Sequence, residues 1–476
     1  MTSFQNLGLS LLLCGLAPGC AHYEAAPISA GRKATVLETR RLDDPGLRKF
    51  IRENLPPEGG SEQARSWDLE RLVLAAYYFH PEMEVARAEW EVALAGIQTA
   101  GGRPNPTLSL TPGFNFSHVN AQPGLTPWLP AVNLDWPLET AGKRGHRIAQ
   151  AEQLSESARL NILSTAWRVR GQVRSSLLEF IAAGQRESML QKQVLVQERI
   201  VALLGQQVQA GALADAEVVA FRISLQKTRL DLADASRDRA EARAELAEAI
   251  GVPVGSLAEV DLPTDLPDEI RAVASLTSGE VRRAALLGRA DILAGLSDYA
   301  AAEAALQLEI ARQYPDIHLN PGYQFDQGDN IWTLGITFEL PVINHNQGPI
   351  AEAKARRNQA AAQFDALQAK VLAEIDRAVE AFHATERSVA LLHSLADDQA
   401  KSRDAIEAQV KAGAAAPLDL LNAQLEFAVT QAGQLEGRVK MQQAIAALED
   451  AAQRPMDMLA PAVLEQRPQA KEEKKP

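Results

Sequence analysis

NPTLSLTPGFNF, residues 105–116, is apolar at every second position. Leu108, Leu110, Pro112, Phe114 and Phe116 alternate with Thr107, Ser109, Thr111 and Asn115. Period two marks a strand with one apolar and one polar face. The pattern returns as YPDIHLNPGYQF at 314–325, where Ile317, Leu319, Pro321, Tyr323 and Phe325 alternate with Asp316, His318, Asn320 and Gln324. Each window is followed by a loop and a second alternating run. In the first hairpin (105–138) Val132, Leu134 and Trp136 alternate with Asn133 and Asp135; in the second (314–341) Trp332, Leu334, Ile336, Phe338 and Leu340 alternate with Thr333, Gly335, Thr337 and Glu339. The expectation is four strands of about ten residues.

The echo extends beyond the strands. QVQAG at 207–211 returns as QVKAG at 409–413, and the IAQA beginning at Ile148 returns as IAEA beginning at Ile350, both 202 residues later. The chain therefore reads as a tandem duplication of a unit far longer than a solenoid repeat. Repeat 1 covers 66–253 and repeat 2 covers 277–455, joined by a linker at 254–276 and flanked by an extended segment at 21–65 and a charged, disordered tail at 456–476.

Between and after the strands the chain is helical. Residues 148–210 contain no proline and are rich in Ala, Leu, Glu, Gln and Arg, as is the matching stretch 350–412. A helix of that length is roughly 95 Å long. In the second copy Phe364, Leu367, Val371, Ile375, Val379 and Phe382 form a narrow coiled-coil stripe, matched in the first by Ile162, Thr165, Val169, Val173, Leu177 and Phe180. Each long helix reaches a Gly-containing turn and returns as a second helix, over 214–250 and 417–452, with Val219, Ile223 and Leu225 matching Leu421, Leu425 and Phe427. One further helix precedes each hairpin, about Trp67 to Ala100 and about Ser278 to Gln313, the latter opened by the capping box TSGE at Thr277. The fold class is mainly α with a small β part.

Alternating ten-residue segments with aromatics near their ends are the signature of transmembrane β-strands, and a half-buried hairpin on a soluble sheet is the alternative. Prolines inside two of the strands suit only edges or bulges of a soluble sheet, and the helical remainder offers no strands to complete one. Lipid tolerates no open edge, so four strands must close with others and the chain must form an oligomer.

Composition removes other classes. A net charge of −13 argues against nucleic acid. Nothing in the sequence forms a Gly-rich phosphate loop, an HExxH helix or a nucleophile elbow, so no catalytic residue, cofactor or enzyme is expected. The eight histidines, His22, His80, His118, His146, His318, His345, His383 and His393, show no i, i+4 pair and no metal set; His118 and His318, on or beside strands, are the ones to test. Cys14 and Cys20 are the two cysteines, so the body has no disulfide framework. Residues 1–20 hold an apolar run, Leu9 to Leu16, of signal-peptide length. It ends APGC, which resembles a lipobox with Cys20 as the lipidated N-terminus; an ordinary secretory signal is the alternative.

The strand windows, the strand exits DWPLETAGKRGHRIAQAE (135–152) and FELPVINHNQGPIAEAKA (338–355), and the turns QAGALADAEVV (209–219) and KAGAAAPLDLL (411–421) together resemble the TolC-like outer-membrane factors. The likeness runs from about Ser66 to Pro455, and LETAGKRGHRI and GRADILA look most like the CzcC-type heavy-metal efflux branch. The resemblance implies a homotrimer with a twelve-stranded barrel in the outer membrane, continuous with a helical periplasmic tunnel. Asn133, Asp135, Thr337 and Glu339 would face the barrel lumen. Gly211, Ala212, Leu213, Gly413, Ala414 and Ala415 would meet a periplasmic adaptor bound to an inner-membrane pump of RND type. Glu217 and Asp419 would form the periplasmic aperture, or alternatively serve only as acids at helix N-termini, while Asn422 stands where relatives carry a further acid. The implied function is passive export of heavy-metal cations or drugs; type I protein secretion is the rival duct, and a coiled-coil scaffold the rival from another class.

Overall fold

The computed structural model describes residues 22–55, 67–116, 126–267 and 279–453. The signal segment with Cys20, His118, Thr277 and the tail 456–476 lie outside them. Two short helices, α1 (Ala30–Glu38) and α2 (Pro45–Asn54), come first. The order helix, helix, strand, strand, long helix, return helix then occurs twice. It runs first through α3 (Leu69–Phe79), α4 (Pro81–Ala100), β1 (Thr107–Thr111), β2 (Ala131–Leu138), α5 (Lys143–Gln209) and α6 (Asp215–Ile250). After a 3-10 turn at Val254–Glu259 it runs through α7 (Gly279–Gly288), α8 (Ala290–Ala311), β3 (Ile317–Asp326), β4 (Asp329–Phe338), α9 (Gln347–Lys411) and α10 (Pro417–Ala452).

The single helices expected before each hairpin are each two. His80 is extended and Pro81 follows it at the first helical position, where its missing N–H is no loss; the His80 imidazole accepts a hydrogen bond from the Glu82 amide. In the second half Arg289 breaks the helix. It is 7% exposed, and its guanidinium bonds Asp291, Glu374 and the Ala451 carbonyl, while the Gln453 side chain accepts from the Ala290 amide. Tertiary hydrogen bonds thus hold the chain extended where local propensity favours helix.

α5 has 67 residues and α9 has 65, so each is about 100 Å long. Their return partners α6 and α10 have 36 each and lie along the far part only. Among the described residues packing is concentrated in three clusters. The largest wedges Leu47, Leu72, Leu74 and Met83 of the short helices against Ile162, Val169, Val173 and Leu177 of α5 and Leu246 and Ile250 of α6. A second joins Ile292, Val371, Ile375, Phe382, Ile445 and Leu448, and a third near the turns joins Ile200, Leu204 and Val218. Of the stripe residues, Val371, Ile375 and Phe382 are buried, and Phe364, Leu367 and Val379 are packed at the margin.

The four strands form one antiparallel sheet in the order β1, β2, β3, β4. β1 is only five residues long because Pro112 interrupts it, although Phe114 still bridges Trp128 in the same register. Pro321 lies on an inner strand, where the β2–β3 ladder skips between Asn133 opposite Gly322 and Trp136 opposite Leu319. The gap falls where proline has no N–H to give. β3 and β4 are joined at Gln327 and Gly328, both with positive φ, as a two-residue hairpin turn requires.

Candidate functional site

The register sorts the sheet into two faces. Leu110 pairs with Val132, Val132 with Tyr323, and Tyr323 with Trp332; Trp136 pairs with Leu319, and Leu319 with Ile336; Leu138 pairs with Ile317, and Ile317 with Phe338. Every one of these residues is apolar or aromatic. Within the single chain most of this face is bare: Trp332 is 79% exposed, Leu334 72% and Leu110 67%, while Leu319 and Tyr323 are half-buried. The opposite face carries Ser109 paired with Asn133, Thr107 with Asp135, His318 with Thr337 and Gly322 with Thr333, and its apolar exceptions are Ala131 and Ile331, both opposite Gln324, and Pro137, opposite His318. Among the described residues the outer edges of β1 and β4 have no partner strand, and no helix is long and apolar enough to cross a membrane.

On the polar face His318 and Asp135 meet across β2 and β3, with the imidazole Nδ1 2.9 and 3.2 Å from the two carboxylate oxygens. Asn320 donates to the Thr337 hydroxyl at 2.9 Å. Asp135, His318, Asn320, Thr337, Phe338 and Glu339 line a shallow recess of about 330 Å³. Of the four residues expected to face a lumen, Asp135, Thr337 and Glu339 therefore share one recess. Asn133 sits on the same face farther along, opposite Gly322, where an added Cβ would collide with the Asn133 side-chain oxygen. Sequence reasoning missed the pairing of Asp135 with His318, which depends on a register that neither strand states alone.

Between strands and long helices, the ETAGKRGHR motif (139–147) acts as a collar. The Thr140 amide and Lys143 ammonium both donate to Asp316 Oδ1, at 2.9 and 2.8 Å, and the Thr140 hydroxyl donates to the Pro315 carbonyl. Arg144 donates to the Gly101 carbonyl at 2.7 Å, Arg147 to the Ala100 and Gly102 carbonyls, and Arg147 also pairs with Glu139. The free carbonyls at the end of α4 are thereby satisfied. In the second half Asn346 does this more simply, donating to the Glu309 carbonyl at 2.8 Å.

The two turns at the far end share one geometry. Gly211 and Gly413 have φ of 71° and 72°. The Ala212 amide donates to the Gln207 carbonyl and the Ala414 amide to the Gln409 carbonyl, closing each helix with a Schellman motif. Gly211, Ala212, Gly413 and Ala414 are exposed, whereas Leu213 packs beside Leu418 in the third cluster and Ala415 is half-buried. Glu217 and Asp419 are both exposed in the first turns of α6 and α10. Asp419 Oδ2 accepts from the Ala416 amide at 2.9 Å, so this acid does cap its helix.

A two-faced sheet with open edges, set on helices of some 100 Å, is the build of an outer-membrane duct. The chain belongs to the outer membrane efflux protein family, whose profile matches residues 76–252 and 281–452. It is similar to the cobalt-zinc-cadmium resistance protein CzcC of Cupriavidus metallidurans, 24% identical over 306 residues, which cover 64% of this chain and 70% of the relative. Its fold is that of the solved outer-membrane channel OprN, with a TM-score of 0.67 at 18% identity over 92% of this chain and 99% of that one. The solved CusC structure, described by its transmembrane channel formation, superposes with a TM-score of 0.63 at 17% identity over 92% and 99% of the two chains.

Proposed function

We propose that the chain is one third of an outer-membrane exit duct. Three copies set their sheets edge to edge, β1 of one beside β4 of the next, to close a twelve-stranded barrel, and their long helices line a tunnel through the periplasm. The apolar face running across all four strands carries this reading, because bare apolar surface alternating with a polar face on ten-residue strands is the pattern of strands that face lipid. Asn133, Asp135, Thr337 and Glu339 then line the barrel, and the exposed turns at Gly211 to Leu213 and Gly413 to Ala415 meet a periplasmic adaptor that links the duct to an inner-membrane pump of RND type. Transport through it is passive. The relative named for cobalt-zinc-cadmium resistance supports heavy-metal cations as cargo, with drugs as the alternative. Two further assignments complete the proposal: the two halves are copies of one unit, and Cys20 anchors the N-terminus to lipid.

The test is the mass of detergent-solubilised protein from the outer-membrane fraction, corrected for bound detergent. Three chains per particle are expected. A monomer that stays in solution without detergent would overturn the duct.

A further inference from the structure

We propose that the bare side of α6 is a docking surface for α9 of a second copy of this chain, so that the helical wall is zipped between copies as it is within one. This rests on reading three copies as a duct. Along the return helices α6 packs on α5, α5 on α10 and α10 on α9, which puts α6 and α9 at the two edges of a four-helix layer. Each edge helix keeps a bare stripe. On α6, Ala216, Val219, Ile223, Gln226, Leu230 and Ala233 are all exposed and are spaced 3, 4, 3, 4, 3; on α9, Ser388, Leu391, Leu395, Asp398, Ser402 and Ala405 are exposed with the same spacing. That is the period of a coiled-coil seam. The α9 stripe runs one position out of phase with Val389 and Ala396, which are buried. Ile223 is 65% exposed, Leu230 67% and Leu391 72%.

Three observations name the occupant. The first is the seam inside the chain, where a long helix of one half meets the return helix of the other. Leu421 and Leu425 of α10 pack in the cluster of Ile200 and Leu204 of α5, and Met189 of α5 packs on the cluster that holds Leu435 and Val439 of α10. Shifted by the 202 residues that separate QVQAG from QVKAG, Leu421, Leu425 and Met189 become Val219, Ile223 and Leu391, and these are exposed. Within the chain nothing plays the part for α6 that α5 plays for α10, and α9 of another copy supplies it. The second observation is level. α6 leaves its turn and α9 enters its own, so the two helices run antiparallel. Counted from Gly211 and Gly413, Val219 and Ala405 are both 8 residues away, Gln226 and Asp398 both 15, Ala233 and Leu391 both 22, and Leu230 and Leu395 are 19 and 18. At 1.5 Å per residue each pair falls within about 1.5 Å of level. The third is chemistry: the amide of one stripe, Gln226, stands level with the carboxylate of the other, Asp398, and a polar pair in an otherwise apolar seam fixes register.

The test uses the full-length protein in the outer-membrane fraction. Its two native cysteines lie in the first twenty residues, so the body offers no competing thiol. Leu230→Cys combined with Leu395→Cys is oxidised and run on a non-reducing denaturing gel. Covalent species of two and three chains are expected from this double variant and from neither single variant. Leu230→Cys combined with Val429→Cys, the latter an exposed position at a similar level on α10, should stay at one chain. As a readout that needs no cross-link, Ile223→Asp should lower the temperature at which oligomer is lost on semi-native gels more than Val429→Asp does. Three-chain particles in which Leu230→Cys with Leu395→Cys gives no linked species, equal linking by the two double variants, or equal losses from the two aspartates would overturn the seam while leaving the duct intact. A wild-type particle whose mass is not that of three chains would overturn the duct itself.

Discussion

Asp450 lies partly buried beside Arg170, Arg174 and Arg289, next to Glu449, at the contact of α5 with α10. Gly171 makes room for it, since a Cβ there would stand 3.0 Å from Asp450 Oδ2. Glu449, 2% exposed, takes two arginines of α5: Arg174 as its nearest partner and Arg170 at 3.2 Å. Burial outweighs the arginines for Asp450, and its carboxyl is pushed up to about 6. The folded state therefore binds this proton more tightly than the unfolded chain does. The sign follows: the contribution is favourable at low pH and is lost as pH rises from about 4 through about 6, by at most about 3 kcal/mol. Unfolding of the detergent-solubilised protein, followed at pH 4.5 and 7.5, should show Asp450→Asn gaining on wild type at the higher pH. An unchanged difference between the two pH values would contradict the assignment.

At the scale of elements, β4 offers a direct comparison of faces. Leu334 and Thr333 are adjacent, yet Leu334 lies among the apolar residues, opposite Pro321, and Thr333 lies opposite Gly322 on the polar face. Leu334→Lys should cost about 2–4 kcal/mol of membrane-embedded stability, and Thr333→Lys much less, read as the temperature at which oligomer is lost on semi-native gels. Equal losses would mean that the faces are misassigned. This alternation was legible in the sequence because a strand's period is local. The interruption at Pro81 was equally local, since proline at a first helical position can be read from the residues alone, and the expectation of one helix over 67–100 passed it by. The break at Arg289 was not legible: it depends on Glu374 and the Ala451 carbonyl, 85 and 162 residues away. The His318–Asp135 pair was hidden for the same reason. Both residues were visible as polar positions on strands, but their meeting needed the register of β2 against β3.

For the whole molecule, the aperture is where three copies would crowd like charges. Glu217 and Asp419, both exposed in first helical turns, would bring six carboxylates to the narrow end of a closed trimer. Their repulsion opposes closure, and an adaptor that favours the open arrangement has less work to do. Glu217→Gln combined with Asp419→Asn, in which Asn can still accept from the Ala416 amide, should leak less current in planar bilayers than wild type. Leak that is unchanged or higher would leave the two acids with the helix-terminal role alone.

The open edges of β1 and β4 also bear on how such a protein is made. Among the described residues a lone chain has two rows of unpaired strand amides and carbonyls, each of which costs several kcal/mol in hydrocarbon, which opposes entry by itself. In water its bare apolar face and open edges invite aggregation. If copies close the sheet between them as proposed, insertion and subunit association are one event rather than two. Below a threshold of newly exported chains, the yield of finished particles should fall faster than in proportion to synthesis, with the surplus passing to periplasmic chaperones and proteases.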